Sequence, residues 1–515
     1  MVVSKSSFKY VRVRLEKETL PRRSLLALVA LCAGITSAVQ TIKVQGSEFV
    51  NSVTNDRFQI IGVDYQPGGS SGYNPGSGID PLSNGTACLR DAALMQTLGI
   101  NTIRMYNVDP SINHDQCASI FNAVGIYMLV DVNSPLQGEN IDRSDPAGSY
   151  TASYLKRIFG VVEAFKNYPN TLGFFAGNEV INDDPTGGTV PPYIRAVQRD
   201  LKDYVAKHST RAIPVGYSAA DVRDILGDTW EYLQCAIDGS SNDTSRSDFF
   251  GLNSYSWCGG SATFQSSGYD VLTQMFSNTT IPIFFSEYGC NKVTPRVFDE
   301  VQALYGPQMT PVMSGGLIYE FSNEVSNFGL VDLNSNGTTQ LLTDFDNLQS
   351  QYNKLNTTLL ESGNSTATSL TAPTCSNSLI SSSSYASNWT LPAVPSGGQQ
   401  LIDNGISKPN NGKLVQVTDT KVNEPVYDSS GNLIQNLAIK PLPSDESNTP
   451  SGQNTSGSSS SASSSSSTAT SSGTSTASAS ATATATGSKK KSAAGKQTAG
   501  AWILGAAVAI GLWGV

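Results

Sequence analysis

The strongest constraint on this chain is a rhythm. Eight short apolar runs of β type recur between residues 39 and about 345: Gln59–Val63, Thr102–Met105, Tyr127–Val130, Leu172–Ala176, Ala212–Val215, Phe249–Leu252, Ile283–Ser286 and Gly316–Ile318. Helix-like intervals separate them, among them Ala92–Leu98, Ser153–Tyr168, Ile194–Lys207 and Pro295–Tyr305. Strands that alternate with helices pair in parallel, because a parallel pair needs a long crossover. Eight such units predict an α/β fold, a (β/α)8 TIM barrel spanning residues 39–345. The competing arrangement is a doubly wound open sheet, but no phosphate-binding glycine loop follows the first strand.

In a (β/α)8 barrel the chemistry lies at the C-terminal strand ends. Here those positions read Asp64-Tyr65-Gln66, Tyr106-Asn107, Asp131 and Asn133, Asn178-Glu179, Tyr217-Ser218, Asn253 and Tyr255, Glu287-Tyr288, and Tyr319-Glu320. One polar rim residue is ordinary; eight polar or aromatic strand ends together point to a site. Glu179 and Glu287 stand out because each directly follows an apolar strand, where a carboxylate is costly to bury without a job or a counter-charge. After the fourth and seventh strands they would face each other across the barrel mouth. Retaining glycosidases use such a pair, about 5–5.5 Å apart, one as nucleophile and the other as acid then base. Asn178, immediately before Glu179, suits a sugar 2-hydroxyl and makes Glu179 the acid/base and Glu287 the nucleophile. Mutual repulsion is then expected to raise the pKa of the acid. Arg104, pointing inward from the second strand, is placed to hold Glu287 ionised. Its other reading is a structural ion pair.

The two ends indicate export. Arg22-Arg23, the apolar stretch Leu25–Ile35 and the small residues Thr36-Ser37-Ala38 have the order of a signal peptide, residues 1–38. The apolar run is short of the roughly 20 residues that span a bilayer. At the other end the small triplet Ser492-Ala493-Ala494, a polar spacer and the apolar run Ala501–Val515 have the order of a glycosylphosphatidylinositol signal, residues 492–515, with Ser492 as the attachment residue. Between them, residues 446–491 are dominated by Ser, Thr and Ala, which cannot bury enough apolar surface to fold and predict a stalk. Lys489-Lys490-Lys491 would lie at the membrane surface. Residues 346–445 are left as a C-terminal extension. The expected location is the outer leaflet of the plasma membrane, with the cell wall as a further destination.

Seven cysteines less Cys32 of the signal peptide leave six, an even number suited to an oxidising compartment. Six cysteines admit fifteen pairings. Cys258 lies three residues after Tyr255 and Cys290 three after Glu287, so adjacent sixth and seventh strands would bring these two to similar height. Sequons at Asn84, Asn242, Asn278, Asn336, Asn356, Asn364, Asn388 and Asn454 agree with secretion. A net charge of −9 with no basic patch besides the lysine triplet argues against nucleic acid as a partner. His114 and His208 are the only histidines, so neither a metal nor a cofactor is expected.

Taken together, GVDYQPG from Gly62, NTIRMY from Asn101, INHD from Ile112, DVN from Asp131, GNEV from Gly177, NSYSWC from Asn253 and SEYGC from Ser286 resemble the fungal β-1,3-glucanosyltransferases of glycoside hydrolase family 72. The resemblance spans roughly residues 40–345 and continues through Cys375. It implies an enzyme that cleaves inside a β-1,3-glucan and passes the new reducing end to the non-reducing end of an acceptor chain. It also implies that Tyr65, Gln66, Tyr106, Asp131, Asn178, Tyr255 and Tyr319 line the sugar subsites. The disulfides it implies are Cys88–Cys117, Cys235–Cys375 and Cys258–Cys290, the extension being tied to the barrel. A monomer is expected. Two departures stand out. Phe328 occupies a position where family members commonly carry a tyrosine, and no cysteine follows Cys375, which places the chain in the subclass without a cysteine-rich carbohydrate-binding module. Hydrolysis alone, as an endo-β-1,3-glucanase, and a non-catalytic wall mannoprotein are the competing functions.

Overall fold

The computed structural model describes residues 38–69 and 73–454. Eight parallel strands close into a barrel: β1 (Ile60–Asp64), β2 (Thr102–Met105), β3 (Tyr127–Asp131), β4 (Thr171–Asn178), β5 (Val215–Ala220), β6 (Phe250–Asn253), β7 (Ile283–Tyr288) and β8 (Met313–Ile318). The ring closes where β8 pairs with β1, from Gly315 opposite Ile60 to Ile318 opposite Val63. The TIM barrel expected from the alternation is therefore present.

Only β2 keeps the bounds of its apolar run, and β4, β5 and β8 differ most. β5 begins at Val215 instead of Ala212, because Pro214 has no N–H to give a ladder; its carbonyl instead accepts the Phe174 N–H at 2.9 Å. Tyr217 and Ser218 consequently lie within β5, and Asn178 within β4. β8 starts at Met313, ahead of Gly316. Gly315 sits at φ +89, and a Cβ there would stand 2.0 Å from the Ile60 carbonyl oxygen. Only glycine permits that approach.

Inside the barrel, Phe175, Phe249, Phe284, Leu129 and Leu317 form one apolar cluster with Phe49 and Phe58. The last two belong to an antiparallel sheet of Ile42–Gln45, Glu48–Asn51 and Arg57–Phe58. Phe49 lies 5.9 Å from both Phe249 and Phe284, ring centre to ring centre, so this sheet plugs the end opposite the strand C-termini. Three predicted helices appear as Gly85–Leu98, Ala152–Phe165 and Pro191–His208. The fourth shrinks to Glu300–Leu304, because the residues before it form a loop around the buried Arg296, with Phe298 at φ 53.

Past the barrel, helix Thr343–Tyr352 straddles the boundary placed at 345. The rest of the extension runs as a strap over the outer helices. The backbone N–H groups of Lys413 and Val415 donate to Asp115 Oδ1 and Ser119 Oγ, each at 2.8 Å. Leu442 N–H donates to the Ala123 carbonyl at 2.8 Å. Contact continues beyond residue 446: Asn448 is buried and its Nδ2 donates to the Ile100 carbonyl at 2.7 Å. Disulfides join Cys88 to Cys117, Cys235 to Cys375 and Cys258 to Cys290. Among the described residues no helix is long and apolar enough to cross a membrane. The leader before residue 38, the stalk from residue 455, Lys489–Lys491 and Ser492 lie outside the described residues.

Candidate active site

Strand β7 ends in Ser286-Glu287-Tyr288; strict alternation would put Phe284 and Glu287 on opposite faces, but the β6–β7 register shifts between Phe285 and Glu287, and Ser286 and Glu287 both join the site at the barrel mouth. Three donors converge on this carboxylate. Arg104 Nη1 reaches Oε1 at 3.3 Å, the Tyr106 hydroxyl donates to Oε1 at 2.9 Å, and the Tyr255 hydroxyl donates to Oε2 at 2.7 Å. Burial pushes the Glu287 carboxyl up to about 7; Arg104 opposes the rise, Glu179 adds to it, and the two phenols oppose it. The expected repulsion between the glutamates is thus felt at Glu287, where burial outweighs it.

Arg104 satisfies both of its readings. It is fully buried, with Nε and Nη2 bound to Asp131 Oδ1 and Oδ2 at 3.1 and 2.9 Å. Its guanidinium lies between the rings of Tyr106 and Phe175, 4.3 and 4.4 Å from their centres. Asp131 therefore serves as its fork-shaped counter-charge.

Glu179, half-buried at the end of β4, has a different setting. Its backbone turns to φ 50, and its N–H donates to the Ser218 carbonyl at 2.8 Å. Asn253 Nδ2 donates to Glu179 Oε1 at 2.8 Å and to Asn178 Oδ1 at 3.1 Å. The Ser218 and Ser286 hydroxyls donate to Asn253 Oδ1 at 3.0 and 2.8 Å, which fixes which edge of the amide faces Asn178 and Glu179. Asn253 had been visible only as a polar strand end; its role depends on serines from the strands on either side.

Gln66 is buried and accepts, through Oε1, the backbone N–H groups of Tyr106 and Asn107 at 3.2 and 3.1 Å. It secures the segment carrying Tyr106. Tyr65 departs from expectation. Successive residues of an extended chain face opposite ways; Asp64 takes the inside and Tyr65 the outside. Tyr65 is fully buried, donates to Asp91 Oδ2 at 2.8 Å and packs against Phe121 and Phe321. It lines no subsite.

Above Glu287 stands an aromatic cluster. Tyr319 lies 6.3 Å from Tyr106, 6.2 Å from Tyr255 and 5.3 Å from Phe328, between ring centres. Arg296, which the sequence had given no role, supports it: Nη1 donates to the Gly289 and Tyr319 carbonyls at 3.2 and 2.7 Å, and Nη2 to that of Phe328. On the other side, a cavity of about 350 Å³ is lined by Tyr106, Asp131, Asn133, Arg143, Asn178 and Val180 among others. Small-molecule sites occupy roughly 300–1,000 Å³. Among the described residues no group of three or more His, Cys, Asp or Glu is arranged to hold a metal.

The profile of glycoside hydrolase family 72, described as Glucanosyltransferase, matches residues 31–356. The chain belongs to glycoside hydrolase family 72. It is 56% identical over 434 residues to 1,3-beta-glucanosyltransferase gel2 of Aspergillus fumigatus, covering 84% of this chain and 90% of that protein. It is 47% identical over 413 residues to probable 1,3-beta-glucanosyltransferase GAS3 of Saccharomyces cerevisiae, covering 77% and 78%. Among solved structures, Saccharomyces cerevisiae Gas2p in complex with laminaritriose and laminaritetraose is similar at a TM-score of 0.61 and 35% identity, over 69% of this chain and 77% of that one. The family 72 match runs past helix Thr343–Tyr352, which therefore belongs with the barrel.

Proposed function

We propose that this family 72 protein is a retaining 1,3-β-glucanosyltransferase that elongates cell-wall glucan. The observation that carries the assignment of roles is the contrast between its two glutamates. Glu287 is gripped by a guanidinium and two phenols, donors that oppose the effect of burial on its carboxyl and aim it. Glu179 is more open and is held by one amide, which leaves it free to exchange a proton.

Glu287 attacks the anomeric carbon of an internal glucosyl unit while Glu179 protonates the departing glycosidic oxygen. The bond between carbon and that oxygen breaks, and a glycosyl ester to Glu287 forms. Glu179, now a carboxylate, takes the proton from the 3-hydroxyl at the non-reducing end of an acceptor chain. That oxygen attacks the same carbon and releases Glu287, so two inversions retain the β configuration. Tyr106, Tyr255, Tyr319 and Phe328 offer faces for stacking, and the cavity beside Asn178 offers room for a sugar.

A defined laminari-oligosaccharide tests the reaction. Products longer than the substrate are expected; shorter products alone would reduce the protein to an endo-β-1,3-glucanase. Glu179→Gln and Glu287→Gln should each lower turnover on the order of a thousandfold. Unchanged turnover in both would favour a non-catalytic wall protein.

The same reading places the mature protein, cut after Ala38, as a monomer on the outer leaflet, anchored through Ser492 and raised on the stalk. Three disulfides support an oxidising compartment. The sequon residues Asn84, Asn242, Asn278, Asn336, Asn356 and Asn388 are exposed, which suits glycosylation. Release from intact cells by phosphatidylinositol-specific phospholipase C is expected; full retention after treatment would overturn the anchor.

A further inference from the structure

One cation away from the two glutamates ties together the walls of the cavity beside Asn178. Two segments line much of that cavity: Tyr106 and Asn107 after β2, and the loop after β3 from Asn133 to Arg143. The next long helix, Ala152–Phe165, presents Tyr154 and Arg157 one turn apart to these segments. The Tyr154 hydroxyl donates to Asn133 Oδ1 at 2.7 Å, and Asn133 Nδ2 donates to the Ala176 carbonyl of β4 at 2.9 Å, so the start of the loop is fixed.

Arg157 holds both segments at once. Its Nε donates to Glu139 Oε2 at 3.0 Å, where the Ser134 hydroxyl also donates at 2.7 Å. Its Nη2 donates to the Val108 carbonyl at 3.0 Å and to the Tyr73 hydroxyl at 3.4 Å, and that hydroxyl donates to the same carbonyl at 3.2 Å. Val108 lies two residues after Tyr106, whose hydroxyl reaches Glu287. One guanidinium therefore spans the loops after β1, β2 and β3.

Stability alone explains this arrangement poorly. The Arg157 side chain is only 10% exposed, and its Nη1 has no hydrogen-bond partner among the described residues. A buried guanidinium with an unmet donor stabilises weakly, because desolvation offsets the attraction. What it supplies is geometry, since a planar group with fixed donor directions sets the distance between the partners it joins.

We propose that Arg157 is a positioning residue for glucan binding: by joining the Val108 carbonyl to the Glu139 carboxylate, it holds the two cavity walls at the separation a glucosyl unit needs. The inference rests on the reading of that cavity as a sugar subsite. None of these contacts reaches Glu179 or Glu287, so Arg157 governs affinity and leaves the chemical step alone.

Calorimetry with a laminari-oligosaccharide on the Glu287→Gln protein measures binding without turnover. Adding Arg157→Met, which keeps much of the side chain's length and removes the fork, should weaken binding roughly tenfold, and Arg157→Lys should restore little of it. In the active enzyme R157M should raise KM by a similar factor with kcat within about threefold of the parent. KM does not depend on the folded fraction, so partial unfolding of R157M leaves this readout intact. Glu139→Ala removes the partly exposed partner, should raise KM about fivefold, and decides the matter where R157M fails to fold. Parental binding and KM in these variants, or a fall in kcat at parental KM, overturns the proposal. A Glu287→Gln protein that binds no laminari-oligosaccharide would instead overturn the reading of the cavity as a glucan subsite, and this inference with it.

Discussion

The Tyr255 hydroxyl donates to Glu287 Oε2 at 2.7 Å, and both residues lie three positions before a cysteine of the Cys258–Cys290 bridge. Residue and bridge together hold a phenol against a buried carboxylate. Tyr255→Phe keeps the ring and deletes the donor. A hydrogen bond to a charged group contributes about 1.5–3 kcal/mol, so kcat/KM should fall roughly 10–100-fold. The bond favours the ionised form, so without it the Glu287 carboxyl, already raised to about 7, rises further. The acid limb of kcat/KM should therefore move to higher pH, measured on laminari-oligosaccharides. An unmoved limb would deny Tyr255 this role.

Asn253→Ala removes the amide that binds Glu179 Oε1 and Asn178 Oδ1 together. It also leaves the Ser218 and Ser286 hydroxyls without this acceptor. Loss of roughly 10–100-fold in kcat is expected, with the melting temperature changed far less than activity. A purely structural Asn253 would reverse that proportion.

The barrel was legible in the sequence because burial on both faces makes parallel strands read as apolar runs. Glu179 and Glu287 were legible because a carboxylate behind such a run conflicts with it. What escaped were relationships across the fold. Tyr65 carries the same residue type as Tyr106, and only the pleat decides that one faces the helices and the other Glu287. Arg296 sits in a stretch whose composition suits a helix, yet its value lies in carbonyls of its own loop and of the loop after β8. Residues 446–454 share the stalk's polar composition, but Asn448 finds the Ile100 carbonyl at 2.7 Å. Composition records no such partner.

Arg296 leads to a stability prediction. Its Nε binds Asp344 Oδ2 at 2.6 Å, and its remaining donors hold carbonyls in the loops after β7 and β8. Arg296→Met strands the Asp344 carboxylate and those carbonyls, at a cost of about 3–5 kcal/mol. Arg296→Lys should rescue little, since one ammonium cannot reproduce a planar fork. Chemical denaturation measures the loss, and KM for oligosaccharide should rise as Tyr319 and Phe328 shift.

The Cys235–Cys375 bridge fastens the extension across a sequence separation of 140 residues. Replacing both cysteines by serine should cost about 2–5 kcal/mol. Thermal unfolding should show the loss, and limited proteolysis should cut the extension before the barrel. Equal protease resistance in the variant would show that the strap's hydrogen bonds suffice.

Three buried glutamates contribute to the pH dependence of stability. Burial raises Glu287 and Glu300 to about 7 and Glu320 to about 8, from an ordinary value of 4.5. At Glu320 the fields of Glu324 and Glu287 add to the rise. A raised folded-state pKa means the folded chain holds these protons more tightly than the unfolded chain. The stability they contribute is fully present below 4.5 and is lost as pH climbs through 7 to 8. Acids pushed down by their partners, such as Asp109 and Asp243, act below their ordinary 3.8 and leave this window alone. The protein should therefore melt at a higher temperature near about pH 5 than near about pH 8. Glu320→Gln, neutral throughout, should flatten that slope and gain on the parent most at the alkaline end. A melting temperature that rises across the window, or a Glu320→Gln slope identical to the parent's, would contradict this account of the buried carboxyls.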